Sequence, residues 1–155
     1  MHEWLQREHV RGWWGDYERL EAVRQHYLPA IEGTDPTDLY FILLDGSPHG
    51  YIETYLVTDH PDCEAHVHVG AGVAGVDLFI ADASLLGRGL GPKILQTFTR
   101  DVVFARNDVH AVVATPQLAN DASIRAFEKA GFTRVRIVTD PEEPGPHQLM
   151  RLDGS

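Results

Sequence analysis

The sequence has 155 residues, of which 43% are hydrophobic and 23% charged; this composition excludes a disordered or fibrous chain and is typical of a single soluble domain. Its 23 acidic residues outnumber its 13 basic residues, and the formal net charge of −10 argues against a nucleic-acid partner and favours a cationic one. The same acidic balance is also common in proteins that need it only for solubility.

The cysteine content and the hydropathy pattern indicate where the protein acts. The single cysteine, Cys63, excludes an internal disulfide, as expected in a reducing compartment. The N-terminus is charged, and no stretch approaches the roughly 20 apolar residues that a membrane span requires. We therefore predict a cytoplasmic protein without membrane association, in which residues 1–155 form one domain.

The N-terminal part of the chain predicts two helices. A short helix over residues 2–10 precedes a longer one over 16–31, for which Asp16 is a candidate N-cap. The predicted buried stripe of the longer helix consists of Tyr17, Leu20, Val23, Tyr27, Leu28 and Ile31.

The rest of the chain alternates between strands and helices. Two β-rich runs within residues 38–58 flank Asp45 and Gly46, a dipeptide typical of a tight hairpin turn. Asn120 can cap a late helix, and Gly131 can adopt the left-handed conformation after it. Strands are predicted over 73–81, 109–116, 133–140 and 146–152, and helices over 91–105 and 120–132. This order indicates a mixed α/β fold, also described as α+β, with a mostly antiparallel sheet flanked by helices.

The stretch SLLGRGLGPKIL, residues 84–95, carries a glycine-rich loop directly before a predicted helix. Gly87, Gly89 and Gly91 leave backbone N–H groups unobstructed, and Pro92 suits the first helical position. Helix N-termini with free N–H groups bind phosphates. The spacing matches neither the nucleoside-triphosphatase loop nor the dinucleotide fingerprint, so the pattern by itself is also compatible with an ordinary tight turn.

Together with NDASIRAFEKAGF, about 30 residues later, LLGRGLGPKIL resembles the acetyl-CoA-binding loop and following motif of the GNAT superfamily of N-acetyltransferases. The stretches GWWGDYE, GYIETY and GVAGVDLFIADASLLGRGLGPKIL extend a resemblance to aminoglycoside 6′-N-acetyltransferases over most of the chain. This resemblance implies the GNAT fold and acetyl-CoA as co-substrate. It also implies direct transfer of the acetyl group, in a ternary complex, to the 6′-amino group of a cationic aminoglycoside antibiotic, which confers resistance.

The resemblance also implies roles for individual residues. Asp77 matches the carboxylate taken as the base for the attacking amine, which must lose a proton before it attacks. Acetyl-CoA would be bound by Arg88, Gly89, Leu90, Gly91, Lys93 and Asn120, with a backbone N–H of Leu78 or Phe79 at the thioester oxygen. The aminoglycoside site would be lined by Trp14, Glu53, Tyr55, Asp62, Asp77 and Thr115.

Several features depart from the family pattern, among them Glu64 and Ala65 in place of a tryptophan pair in the loop before Asp77. Phe127 stands where many members have a tyrosine that can protonate the leaving thiolate, so the acid for this step is left open. Leu86 replaces a polar residue of the loop, and Thr115 replaces an aspartate that faces substrate in relatives. The chain starts at the first helix, so the N-terminal edge strand of the family is expected to be missing. An exposed edge invites pairing, and we expect either a monomer or a homodimer.

Other functions remain open at this stage. An acetyltransferase of the same superfamily acting on a siderophore hydroxylysine or another small amine is the main alternative, and an acetyl-CoA-binding sensor without activity is a second. Four candidate metal ligands lie close together in the sequence: His60, Cys63, His66 and His68. Their spacing is not that of a zinc site, and we predict that the protein binds no metal.

Overall fold

The structure is a computed structural model that describes residues 1–15 and 17–155. The prediction that Asp16 caps a helix therefore lies outside the described residues. The helices are α1 (His2–Leu5), α2 (Glu8–Trp14), α3 (Leu20–Ile31), α4 (Pro61–Val67), α5 (Leu90–Phe98) and α6 (Asp121–Lys129). The strands are β1 (Thr37–Leu44), β2 (Ser47–Leu56), β3 (Val73–Ile80), β4 (Ala111–Ala114), β5 (Thr133–Asp140) and β6 (Glu143–Asp153). None of the helices described is long and apolar enough to cross a membrane.

The described strands form one six-stranded sheet in the order β1-β2-β3-β4-β6-β5. Every neighbouring pair is antiparallel except β3 and β4, which are parallel. The β3–β4 ladder is short, because it joins only residues 73–75 to residues 111–113. Strand β1 forms one edge of the sheet, and the predicted mixed and mostly antiparallel fold is confirmed.

Both faces of the sheet are covered by helices. On one face, α5 and α6 place Leu95 and Ile124 against Val112 and Met150 in the largest core cluster. The opposite face carries two separate clusters. The first joins α1, α2 and α3 to β2 and β3, and the second joins α4 to β3, β4 and β6. The space between these two clusters is the cleft described below.

Several local predictions are confirmed. Asp45 and Gly46 both have positive φ, 50° and 80°, as the tight hairpin turn between β1 and β2 requires. The Asn120 side chain accepts a hydrogen bond from the Ser123 N–H at 3.2 Å and caps α6. Gly131 follows the end of α6 with φ 104°. The conformations at these positions depend on the preferences of a few neighbouring residues, so they could be predicted from the sequence.

The helix boundaries near the N-terminus differ from the prediction. The first helix is divided into α1 and α2, because Arg7 is extended and its side chain donates to the Ala81 carbonyl at the end of β3. Helix α3 begins at Leu20, after Tyr17. Only one narrow face of α3 contacts the sheet, so the predicted buried stripe is too wide. Val23 and Tyr27 are buried, whereas Leu20, Leu28 and Ile31 are exposed.

The secondary structure of two further segments differs from the prediction. No helix was predicted between β2 and β3, but the segment after β2 contains a 3₁₀ turn, Val57–Asp59, followed by α4. The helix predicted over 91–105 is shorter: α5 ends at Phe98 and continues as one π-helical segment, Thr99–Val103.

Candidate active site

A cleft of about 710 Å³ opens between the helices α1–α3 and the helix α4, over the region where β3 and β4 separate. Residues of α2, β2, β3 and α4 form its walls, together with the segment after β4 and the loop that leads into β6. Its size suits a small-molecule substrate.

The separation of β3 from β4 exposes backbone groups of β3. Beyond Gly75 no strand among the described residues pairs with the β4 side of β3. On the other side, Leu78 lies opposite Ile52 and Phe79 opposite Tyr51 of β2. In an antiparallel strand, alternate residues direct both N–H and C=O to the same side. One of the two predicted donors, Leu78 or Phe79, therefore directs its N–H toward the gap between β3 and β4.

The glycine-rich loop has an open surface next to the start of α5. Gly87 and Gly89 both have φ 72°, and no protein atom lies within 4 Å of the position where a Cβ would stand. Gly89 is the N-cap of α5 and is in the left-handed conformation. Arg88 and Lys93 are exposed beside it. The loop therefore presents free backbone N–H groups and positive charge, which is the environment that a pyrophosphate needs.

Asp77 lies on β3 and lines the cleft. The Tyr55 hydroxyl donates to its Oδ2 at 3.2 Å. Burial raises the pKa of the Asp77 carboxyl to about 6, although the Tyr55 hydrogen bond acts in the opposite direction. A carboxyl with this pKa is mostly ionised at neutral pH and can accept a proton.

The ring of Tyr55 reaches Asp77 because Gly75 lies opposite Tyr55 in the β2–β3 ladder. A Cβ at Gly75 would stand 2.4 Å from Cζ of Tyr55. The absence of a side chain at residue 75 is therefore required for the position of the tyrosine ring.

We expect Gly75→Ala to displace Tyr55 and to destabilise the fold by about 1–3 kcal/mol, because the added methyl group overlaps with the ring. Thermal unfolding measures this loss. Gly12→Ala is the matched control, because a Cβ at Gly12 meets no atom within 4 Å and alanine favours the helical conformation of α2. Equal melting temperatures for the two variants would contradict the overlap.

Glu53 of β2 lies directly opposite Asp77 of β3. The Tyr51 hydroxyl donates to Oε2 of Glu53. Burial, followed by the charge of Asp77, raises the pKa of the Glu53 carboxyl to about 8. Both residues were predicted to line the site, but sequence reasoning missed that they face each other, because the strand register is not visible in the sequence.

The other predicted substrate residues also line the cleft, at different depths. Trp14 is part of its inner wall: its ring packs 4.9 Å from the ring of Phe79, and its Nε1 donates to the Tyr27 hydroxyl at 2.9 Å. Asp62 is exposed on α4 at the rim, and Thr115 follows β4. Trp13, which was not among the predicted site residues, is 44% exposed and lines the cleft as well.

Two residues of α6 and its N-cap also line the cleft. Phe127 of α6 is buried, packs 5.1 Å from the ring of Phe132 and also lines the cleft, so the departure from tyrosine removes a hydroxyl from this wall. Asn120 uses its side-chain oxygen to cap α6. Its amide NH₂ group is the part that could donate to a bound pantetheine arm.

The cleft is strongly acidic. No Lys or Arg is among its described lining residues, whereas seven carboxylates line it: Glu53, Asp59, Asp62, Asp77, Asp140, Glu142 and Glu143. The clustered histidines have separate partners. His60 contacts the Thr37 hydroxyl at 3.2 Å, and His66 contacts the Asp62 carbonyl at 2.8 Å. Within the described residues, no group of three or more His, Cys, Asp or Glu side chains is arranged to hold a metal ion.

Comparisons with known proteins agree on one family. The profile of the acetyltransferase (GNAT) domain matches residues 1–140. The chain is 34% identical over 152 residues to aminoglycoside N(6′)-acetyltransferase type 1 of Klebsiella pneumoniae, covering 96% of this chain and 75% of the relative. Lysine N-acyltransferase MbtK of Mycobacterium tuberculosis is 29% identical over 138 residues, which cover 83% of this chain and 60% of that protein.

Solved structures give the same result. A crystal structure of aminoglycoside acetyltransferase AAC(6′)-Ib in complex with coenzyme A and kanamycin superposes with a TM-score of 0.83 and 32% sequence identity. The superposition covers 98% of this chain and 86% of that one. The matched profile, the identity over nearly the whole chain and the shared fold lead to one conclusion: this chain belongs to the GNAT acetyltransferase family.

Proposed function

We propose that this protein transfers the acetyl group of acetyl-CoA to the 6′-amino group of aminoglycoside antibiotics and thereby confers resistance. The observation that carries this function is the acidic cleft, which has seven carboxylates and no Lys or Arg among its described lining residues. Such a surface attracts and binds a polycation. The relatives named for aminoglycoside 6′-acetylation support the assignment.

Acetyl-CoA would bind across the sheet from the glycine-rich loop. The N–H groups of residues 88–91 would meet the pyrophosphate at the N-terminus of α5, with Lys93 adding positive charge. The Asn120 amide would donate to the pantetheine arm. The thioester would lie in the gap between β3 and β4, where the N–H of Leu78 or Phe79 would stabilise the charge that develops on its oxygen.

The acceptor amine would react directly with the thioester in a ternary complex. Asp77 would attract the substrate ammonium and accept one of its protons, which frees the lone pair for attack. Trp14, Tyr55 and Asp62 would hold the rest of the substrate in the cleft. Because Phe127 has no proton to donate, the second proton lost by the reacting nitrogen would go to the leaving thiolate, directly or through water.

The test is the release of free coenzyme A thiol from acetyl-CoA with pairs of aminoglycosides that differ only at the 6′ position. We expect turnover with the 6′-amino member of each pair and none with the 6′-hydroxyl member, because only the amine forms a stable amide by this route. Equal turnover with both members would contradict acetylation at the 6′ position.

One alternative substrate class has specific support. The similarity to a lysine N-acyltransferase favours a lysine-derived or other small amine, including a siderophore hydroxylysine, as the second candidate. Acetyl-CoA binding without turnover of any aminoglycoside would favour this candidate.

The remaining features of the assembly are part of the same proposal. Residues 1–155 would act as one acetyltransferase domain, in the cytoplasm, where acetyl-CoA is available. Light scattering would distinguish a monomer from a homodimer.

A further inference from the structure

Glu53 and Asp77 form a pair of facing carboxylates inside the cleft. They are register partners in adjacent antiparallel strands, and directly opposite residues have Cβ atoms about 4.5–5.5 Å apart. Both side chains line the cleft and are partly buried. Two carboxylates this close repel each other when both are ionised.

Each member of the pair accepts one hydrogen bond from a tyrosine. Tyr51 donates to Glu53, and Tyr55 donates to Asp77. Each tyrosine is two residues from Glu53 on β2, so the alternation of the strand places all three side chains on the same face. The two hydrogen bonds orient the carboxylates but supply no positive charge.

No Lys or Arg is among the described residues that line the space around the pair. Helix α3 and the residues before it, helix α4 and its N-cap, and the segments before β1 and at the start of β6 bring titratable groups toward the pair: Tyr17, His26, Tyr27, Asp35, His60, Cys63 and Glu143. Asp35 and Glu143 add negative charge, which raises the pKa of Glu53 and of Asp77, respectively. Burial also raises the pKa of both carboxyls and is the largest cause of each shift. The pKa of Glu53 becomes about 8 and that of Asp77 about 6.

We propose that Glu53 and Asp77 act as one pair that holds a single proton in the free enzyme, releases it when the acceptor ammonium binds, and regains one from the reacting nitrogen. This inference rests on the proposed function and adds Glu53 to the groups that handle protons. The bound ammonium takes the place of the shared proton as the positive charge between the two carboxylates.

The proton balance of this sequence closes. The bound ammonium carries three protons and faces two ionised carboxylates. One proton moves to the pair, the amine attacks, the N–C bond forms, and the C–S bond breaks. The second proton goes to the thiolate, and the third stays on the amide nitrogen. The pair ends with one proton, as it started. The one proton that the overall reaction releases to solvent is the one lost when the substrate binds.

Infrared spectroscopy of the free protein at about pH 7, between the two pKa values, tests the resting state. We expect a C=O band of a protonated carboxyl that is absent from Glu53→Gln. Glu32→Gln is the matched control, because Glu32 is an exposed residue at the end of α3. Its spectrum should keep the band. A band of equal intensity in wild type and Glu53→Gln would overturn the proposal, as would its absence from the wild type.

Asp77→Asn is a second variant that does not depend on the folding of Glu53→Gln. Removing the neighbouring charge should lower the pH at which the band of Glu53 disappears. An unchanged titration would show that the two carboxyls are independent. Retained acetyl-CoA binding confirms that each variant is folded.

Calorimetry tests the release of the proton. Kanamycin is titrated into the enzyme with coenzyme A, in buffers of different ionisation heat. The wild type should release about one proton more than Glu53→Gln, because the variant has no shared proton to lose. Equal proton release would overturn the proposal. If no aminoglycoside is acetylated, the assigned substrate fails, whereas the infrared result still decides whether the pair holds a proton.

Discussion

Asp77→Asn is expected to lower kcat by about 100-fold or more while acetyl-CoA still binds, because an amide cannot accept the proton that the amine must lose. Glu53 stays opposite residue 77 and is expected to support the residual rate. Initial-rate measurements with a 6′-amino aminoglycoside give kcat, and calorimetry gives the affinity for acetyl-CoA. An unchanged kcat would remove Asp77 from its assigned role.

A change of the same type at a remote position controls for the loss of a carboxylate. Asp45→Asn lies in the β1–β2 turn at φ 50°, a conformation that asparagine also adopts. We expect wild-type rates for it. Because folding raises the pKa of Asp77, its ionised form destabilises the native state above about pH 6, and asparagine removes that cost. The melting temperature of Asp77→Asn should therefore not fall.

The pKa of Asp77 also predicts how kcat/KM of the wild type changes at acidic pH. The carboxyl of Asp77 is ionised above about pH 6 and protonated below it. We therefore expect kcat/KM to fall as the pH is lowered through this value, since a protonated carboxyl neither attracts the ammonium nor accepts its proton.

Gly89→Val is expected to weaken acetyl-CoA binding by at least about 100-fold, which corresponds to about 2.8 kcal/mol of binding free energy. Gly89 has φ 72°, where a β-branched residue is a strong outlier, and its missing Cβ faces the open space in which the pyrophosphate is proposed to lie. The valine side chain would occupy that space and strain the N-cap of α5. Calorimetric titration with coenzyme A measures the loss.

Gly33→Val separates strain from blocked binding. Gly33 follows α3, has φ 79° and also has no atom near its missing Cβ. The two variants should lose similar stability, about 1–2 kcal/mol, because each places a side chain in the left-handed region. Only Gly89→Val should lose affinity for coenzyme A. Wild-type affinity in that variant would rule out the loop as the phosphate site.

Features that depend on neighbouring residues could be predicted from the sequence. The Asp45-Gly46 turn and the cap of α6 by Asn120 are confirmed, since each depends on the backbone conformation of two to four residues. The glycine-rich loop before α5 was found for the same reason. The family resemblance supplied the reaction and the position of Asp77, and the comparisons support both the family and the fold.

Helix α4 could not be predicted in this way. It has seven residues, and its fully buried residue is Val67, so it offers no hydrophobic repeat to detect. Pro61 favours its first turn, and the Glu64 carboxylate accepts from the N–H groups of Val69 and Gly70 after its end. Its helical form depends on packing against the sheet, where Val67 joins the cluster with Val73.

The sequence by itself determined the order of the six strands, the turns and caps, the glycine-rich loop and the acidic character of the protein, because these follow from local conformational preference and composition. Only the tertiary structure decided that Glu53 faces Asp77, that Gly75 admits the ring of Tyr55, and that the β3–β4 ladder ends where the cleft begins. Strand register is the reason: it is set by packing on both faces of the sheet, and a shift of one residue would direct these side chains to the opposite face.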